Sequence, residues 1–216
     1  FKTKDGKEYK IRLGNNNPTG SSTYGALEGK SEVFLVASYV ASAFKKKLED
    51  LRNHSILGIE QSETQTADLR SSKGEVSLAK ENDRWWIQGK TRWAADTAAV
   101  SGLLSNISGG RIKEFFDGNP DEYTNLGFDK PQLDVRLTLG KNRAIRHLMI
   151  GNEKSKLLKL GEKKPVNAKK EDKAAGAGEL YLAKDETRKE LFFVDKDFVD
   201  KLLKSPSDLR DKALVS

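Results

Sequence analysis

Three tryptophans fall within nine residues, Trp85, Trp86 and Trp93, and the run from Lys154 to Lys173 is dense in lysine. These types suit one kind of chemistry. Aromatic faces stack on sugars, bases or side chains, and ammonium groups hold anionic polymers. Trp85 and Trp93 with Lys163, Lys164, Lys169 and Lys170 are therefore the candidate binding residues, for a polysaccharide or a polyanion. Neighbouring residues of a strand face opposite ways, so one of Trp85 and Trp86 serves a core and the other needs exposure or a cover. For the cluster as a whole, core packing is the stronger reading. Glu162, Glu171 and Asp172 interrupt the lysine run, so a solvated surface accounts for it better than a nucleic-acid patch.

Catalytic constellations are harder to assemble. His54 and His147 are the only imidazoles and read as surface or edge residues. The chain has no cysteine, which excludes disulfides, thiolate metal sites and cysteine nucleophiles. No nucleophile elbow, zinc-protease helix or phosphate-binding loop is present. Asp117, Asp121 and Glu122 lie near Gly118-Asn119-Pro120, where capping and solvation explain them. No enzyme activity, catalytic residue, metal or cofactor is expected. The formal charge of +7 spreads over 39 basic and 32 acidic residues, and a well-solvated surface explains it.

The elements that would position these residues include an internal repeat. Val33-Phe34-Leu35-Val36 leads into a helix-like stretch ending Leu51-Arg52, and Leu191-Phe192-Phe193-Val194 into one ending Leu209-Arg210. Lys10 to Asn15 resembles His147 to Asn152, and Tyr24 pairs with Tyr181. Residues 1–57 read as the closing half of one repeat unit. Residues 58–216 read as a fuller second unit with a Lys-rich loop at about 152–178. A continuation of the parent protein in both directions is expected from this pattern.

Leu133, Val135, Leu137 and Leu139 alternate strictly, as an amphipathic strand requires. Val40, Phe44, Leu48 and Leu51 form a helical stripe that Ser38 could cap, and Asp96 suits the cap of a helix with Val100, Leu103, Leu104 and Ile107 on its apolar face. Pro206 breaks the last helix, with Ser207 as a candidate cap. Hairpin-length connections dominate. The predicted class is α+β, with antiparallel sheets and helices packed on one face.

The ordered motifs Trp86-Ile87, Ala95-Asp96, Leu126-Gly127-Phe128-Asp129-Lys130-Pro131, Ile150-Gly151, Tyr181 and Leu209-Arg210 resemble the bacterial family known as domain of unknown function 4340. Leu13-Gly14, Tyr24 and Leu51-Arg52 repeat part of the set. The structural repeat positions are thus Gly14, Gly151, Tyr24, Tyr181, Arg52, Arg210, Asp96, Gly127 and Pro131. Arg52 and Arg210 are read as tying a helix end to carbonyls or a carboxylate. The family pattern keeps Trp86, which assigns it to the core and leaves Trp85 for exposure. The resemblance implies an extracytoplasmic module, anchored to the inner membrane by a segment outside this chain. Its expected partners are proteins of a membrane complex linked to gliding-motility-type ABC transport, with no nucleic acid among them.

Overall fold

The computed structural model describes residues 2–47, 51–161 and 178–212, which form two compact units, Phe1–Asn53 and His54–Ser216. Lys163, Lys164, Lys169 and Lys170 lie outside the described residues.

In the first unit β1 (Ile11–Asn16), β2 (Ser22–Leu27) and β3 (Val33–Ala37) form an antiparallel sheet in that order. Helix α1 (Ser38–Phe44) follows β3 directly. It is shorter than its apolar stripe predicts: Lys45 ends it, and Leu51 is exposed. So short a helix depends on tertiary packing, and the apolar stripe is interrupted after Phe44 by three successive lysines. Ser38 is not the cap. It is the first helical residue, and its hydroxyl donates to the Gly20 carbonyl at 2.8 Å.

The second unit contains β4 (Thr64–Ser71), β5 (Gly74–Glu81), β6 (Arg84–Gln88), β7 (Trp93–Ala94), α2 (Thr97–Gly109), β8 (Glu114–Phe115), β9 (Leu133–Leu139), β10 (Ala144–Glu153), β11 (Leu180–Asp185), β12 (Phe192–Asp195), α3 (Lys196–Leu202) and α4 (Pro206–Leu209). Its nine strands form one sheet in the order β7-β6-β5-β4-β9-β10-β11-β12-β8, with antiparallel neighbours throughout. The architecture is α+β. Alternate residues of β4, β5, β6, β9 and β10 join Val100, Leu103, Leu104 and Ile107 of α2 and Phe198, Val199 and Leu202 of α3 in one buried cluster. Ile56 and Leu57 belong to that cluster too. Burying a leucine or isoleucine side chain contributes about 1.5–3 kcal/mol, so this cluster dominates the stability of the unit. A smaller cluster of Leu157, Leu182, Leu191 and Phe193 lies apart from it.

The helix starts follow from their caps. Asp96 Oδ1 accepts from Ala99 N at 2.8 Å and opens α2. Asp195 Oδ1 accepts from Phe198 N at 2.9 Å and opens α3, with Lys113 Nζ 2.8 Å from its other oxygen. Burial pushes the Asp195 pKa up, but the Lys113 ammonium and the Phe198 N–H outweigh it, leaving the carboxyl below its ordinary value. Ser205, not Ser207, caps α4, in a capping box with Asp208 that places Pro206 in the first turn.

The two units share a local pattern. β1 pairs with β2 through Leu13↔Gly25 and Asn16↔Thr23, with a bulge between. β10 pairs with β11 through Ile150↔Ala183 and Glu153↔Tyr181, with a bulge between. The first strands are offset by 137 (150 − 13, 153 − 16) and the second by 158 (183 − 25, 181 − 23). Thr23↔Val36 and Tyr181↔Val194 keep the 158 offset into the third strands. Tyr24 therefore corresponds to Leu182, and Tyr181 to Thr23. The sequence pairing of the two tyrosines slipped by one residue, which in a strand exchanges the faces.

Candidate interaction surfaces

The β6–β7 hairpin carries the tryptophans. Trp85 and Ile87 share the inward face, and Trp85 is only 8% exposed, inside the main cluster. Its expected exposure is thus corrected: Trp86 takes the outward face. There Arg92 lies 4.1 Å and Arg84 5.7 Å from the Trp86 ring centroid, and Arg92 also pairs with Glu81. Trp93 lies opposite Ile87 and remains 41% exposed. The Arg210 guanidinium stacks 3.4 Å from its centroid. That contact replaces the bidentate bonds expected of Arg210. Its backbone does the tying: Arg210 bridges Ala95, Asp96 N donates to Leu209 O at 2.8 Å and Asp211 N to Ala94 O at 3.0 Å. Stacked guanidinium–indole pairs present charge and flat apolar area already ordered.

A groove of ≈ 440 Å³ opens beside β8 and β12. Phe116 stands edge-on to Tyr123 at 5.2 Å and 6.0 Å from Phe193. Lys154 sits 5.0 Å from the Phe193 centroid and pairs with Glu114. Phe116 and Tyr123 are partly buried against the smaller cluster. Only the fold reveals the groove, because its walls come from segments far apart in the chain.

The two histidines lie in separate settings. His147 is buried, which corrects its reading as a surface residue. Its Nε2–H faces Asp134 Oδ1 at 2.9 Å, while Nδ1 sits 3.0 Å from Glu186 Oε1 without hydrogen-bond geometry. His54 Nδ1 is 3.2 Å from Ile112 O, and its ring meets Phe115 edge-on at 5.2 Å. Among the described residues no three His, Asp or Glu side chains form a group that could hold a metal.

The glycine motifs interlock. A Cβ on Gly151 would stand 2.2 Å from Leu126 O, and one on Gly127, whose φ is +86°, would stand 2.6 Å from Asn152 N. Bare backbone lets Asn152 N donate to Leu126 O at 2.9 Å and Asn152 Nδ2 to Asn125 O at 2.7 Å. Pro131 follows in the same turn, and Gln132 N donates to Ile150 O at 2.8 Å.

The family described as Domain of unknown function (DUF4340) matches residues 1–93 and again 85–216. The chain belongs to this family. No curated protein and no solved structure matches it. In this DUF4340 chain, the segments around Gly127 and Gly151 meet in one loop contact, and Ala95-Asp96 meets Leu209-Arg210 at the start of α2. Tyr181 packs against the main cluster, where burial raises its phenol pKa, aided by Glu179 and Glu153. Gly14 and Tyr24 lie in the first unit, Tyr24 exposed, and Arg52 is half-buried.

Proposed function

We propose that this DUF4340 chain is a non-enzymatic interaction module of a membrane-associated bacterial protein. It works outside the cytoplasm and serves an ABC-type transport assembly. The observation that carries the reading is the arginine-stacked tryptophan edge of β6 and β7. Trp and Arg are the residue types that most often anchor protein interfaces, and here their side chains are held by each other before any partner arrives. The module is repeat-built, which the doubled family match and the common register of the two units support.

A photo-crosslinking residue at position 84, beside Trp86, tests this in host membranes. Adducts to transporter subunits, lost when Arg92 becomes Glu, are expected. Adducts to no protein at all would refute the docking edge.

Binding of an envelope polysaccharide is the second reading. The exposed Trp93 ring and the aromatic groove of Phe116, Tyr123 and Phe193 support it. Glu114, Asp117 and Glu122 stand with Lys154 and Lys159 around that groove, a nearly balanced charge that suits a neutral sugar. Retention on a neutral envelope glycan, abolished by Tyr123→Ala, would establish it.

A further inference from the structure

Six apolar residues of the first unit, three exposed and three half-buried, correspond to buried residues of the second. At offset 137, Ile11 matches Leu148 and Leu13 matches Ile150. At offset 158, Val36 matches Val194, and continuing that offset through the helix pairs Val40 with Phe198, Phe44 with Leu202 and Leu51 with Leu209. The second-unit members are all buried, under α2 and beside β9. In the first unit Phe44 is 68% exposed and Leu51 71%. Ile11, Leu13, Val36, Val40 and Phe44 line an apolar concavity of ≈ 390 Å³. Among the described residues β1 has no second sheet neighbour, whereas β10 has β9.

Two details identify what fits there. The first is a turn. Between β9 and β10, Arg143 N donates to Gly140 O, and Arg143 has φ +54°. Ahead of β1, Gly6 N donates to Thr3 O, and Gly6 has φ +85°. Both pairs keep the offset of 137 (143 − 6, 140 − 3), and Lys2 bridges Glu8 across this turn. So Thr3–Gly6 matches the turn that joins β9 to β10. The second is a glycine. Gly14 corresponds to Gly151, but a Cβ on Gly14 would meet nothing nearer than Tyr24 O at 3.7 Å. The loop that makes glycine necessary at 151 has no counterpart against Gly14 among the described residues.

We propose that the outer edge of β1 and the concavity between β1 and α1 receive an opening half of this same repeat, supplied by the same polypeptide through the Thr3–Gly6 turn. A β9-like strand sets apolar residues opposite Ile11 and Leu13. An α2-like helix covers Val40 and Phe44. A Leu-Gly loop lands on Gly14, and an Ala-Asp helix start clasps Leu51-Arg52. This completing half is independent of the external partner proposed above.

Hydrogen exchange tests it on two chains: residues 1–216, and the polypeptide as encoded with whatever leads into Phe1. In the longer chain the segments of β1 and α1 are expected to exchange slower by on the order of tenfold or more, with β4–β9 unchanged. Gly14→Ala should abolish that gain in the longer chain and leave the 216-residue chain unaltered. A second variant, Phe44→Asp, should do the same and guards against a purely local effect at Gly14. Equal exchange in the two chains would overturn the proposal. So would protection already present in the monomeric 216-residue chain, which would put its own second unit on the face. Protection that rises with concentration and a dimeric mass would overturn it in favour of a second copy.

Discussion

Gly151→Ala is the substitution whose cost the structure fixes most tightly. The new methyl would stand 2.2 Å from Leu126 O and 3.2 Å from the Phe128 ring, so either β10 or the Leu126 loop must move. Overpacking of this kind costs about 1–3 kcal/mol. The movement also removes the 2.9 Å bond from Asn152 N to Leu126 O, worth about 1 kcal/mol. The sum is roughly 2–4 kcal/mol, which lowers Tm by about 4–16 °C for a unit of this size. Calorimetry or circular dichroism melting of the 216-residue chain measures it. Gly14→Ala is the matched control, since its methyl meets ordinary van der Waals space. It should change the melting of the same chain by less than about 0.5 kcal/mol. A Gly151→Ala melt indistinguishable from wild type would refute the interlock as the reason for glycine at 151.

Other outcomes follow from the same contacts. Leu209→Ala empties a fully buried site and should cost about 2–5 kcal/mol, whereas Leu51→Ala, at its exposed counterpart, should cost less than about 0.5 in the 216-residue chain; urea unfolding compares them. A double-mutant cycle on Trp93 and Arg210 should return a coupling of about 0.5–1 kcal/mol, and a coupling of zero would show the stack to be ornamental. Asp195→Asn removes the charge that Lys113 pairs with. Because the folded pKa of Asp195 lies below its ordinary 3.8, its stabilisation is present above that value and lost as pH falls through the folded pKa. The stability gap between wild type and variant should therefore be full at neutral pH and close in acid below 3.8; a gap unchanged in strong acid would contradict the assignment.

Local elements were legible where the signal is local. Strict alternation from Leu133 to Leu139 marks β9, and a carboxylate just ahead of an apolar helical face marks Asp96 as a cap. Order in the sheet was not legible, because β9 lies between β4 and β10 and the β4 contact joins residues some seventy positions apart. The tryptophans show how a usable signal was overridden. Trp85 and Ile87 are two apart and so share a face, which already assigns Trp85 to the core with Ile87. Trp86 belongs to the family motif and yet takes the outward face. Similarly, matching Tyr24 to Tyr181 by type ignored the period of two that sets which side is buried. The groove and the Asp134–His147 contact arise from sheet register alone, and no spacing in the chain announces them. The predicted site lysines 163, 164, 169 and 170 lie outside the described residues, and the proposed docking edge is argued from Trp86, Trp93 and their arginines instead.

The proposed role of this module is docking on proteins of a membrane assembly. Gentle affinity purification of the tagged full-length protein from host membranes, with mass spectrometry against an untagged control, tests it most directly. Enrichment of ABC-transporter subunits that disappears with Arg92→Glu is the predicted result. Recovery of the protein alone, or a hydrolytic activity that a point substitution abolishes without unfolding the chain, would contradict it.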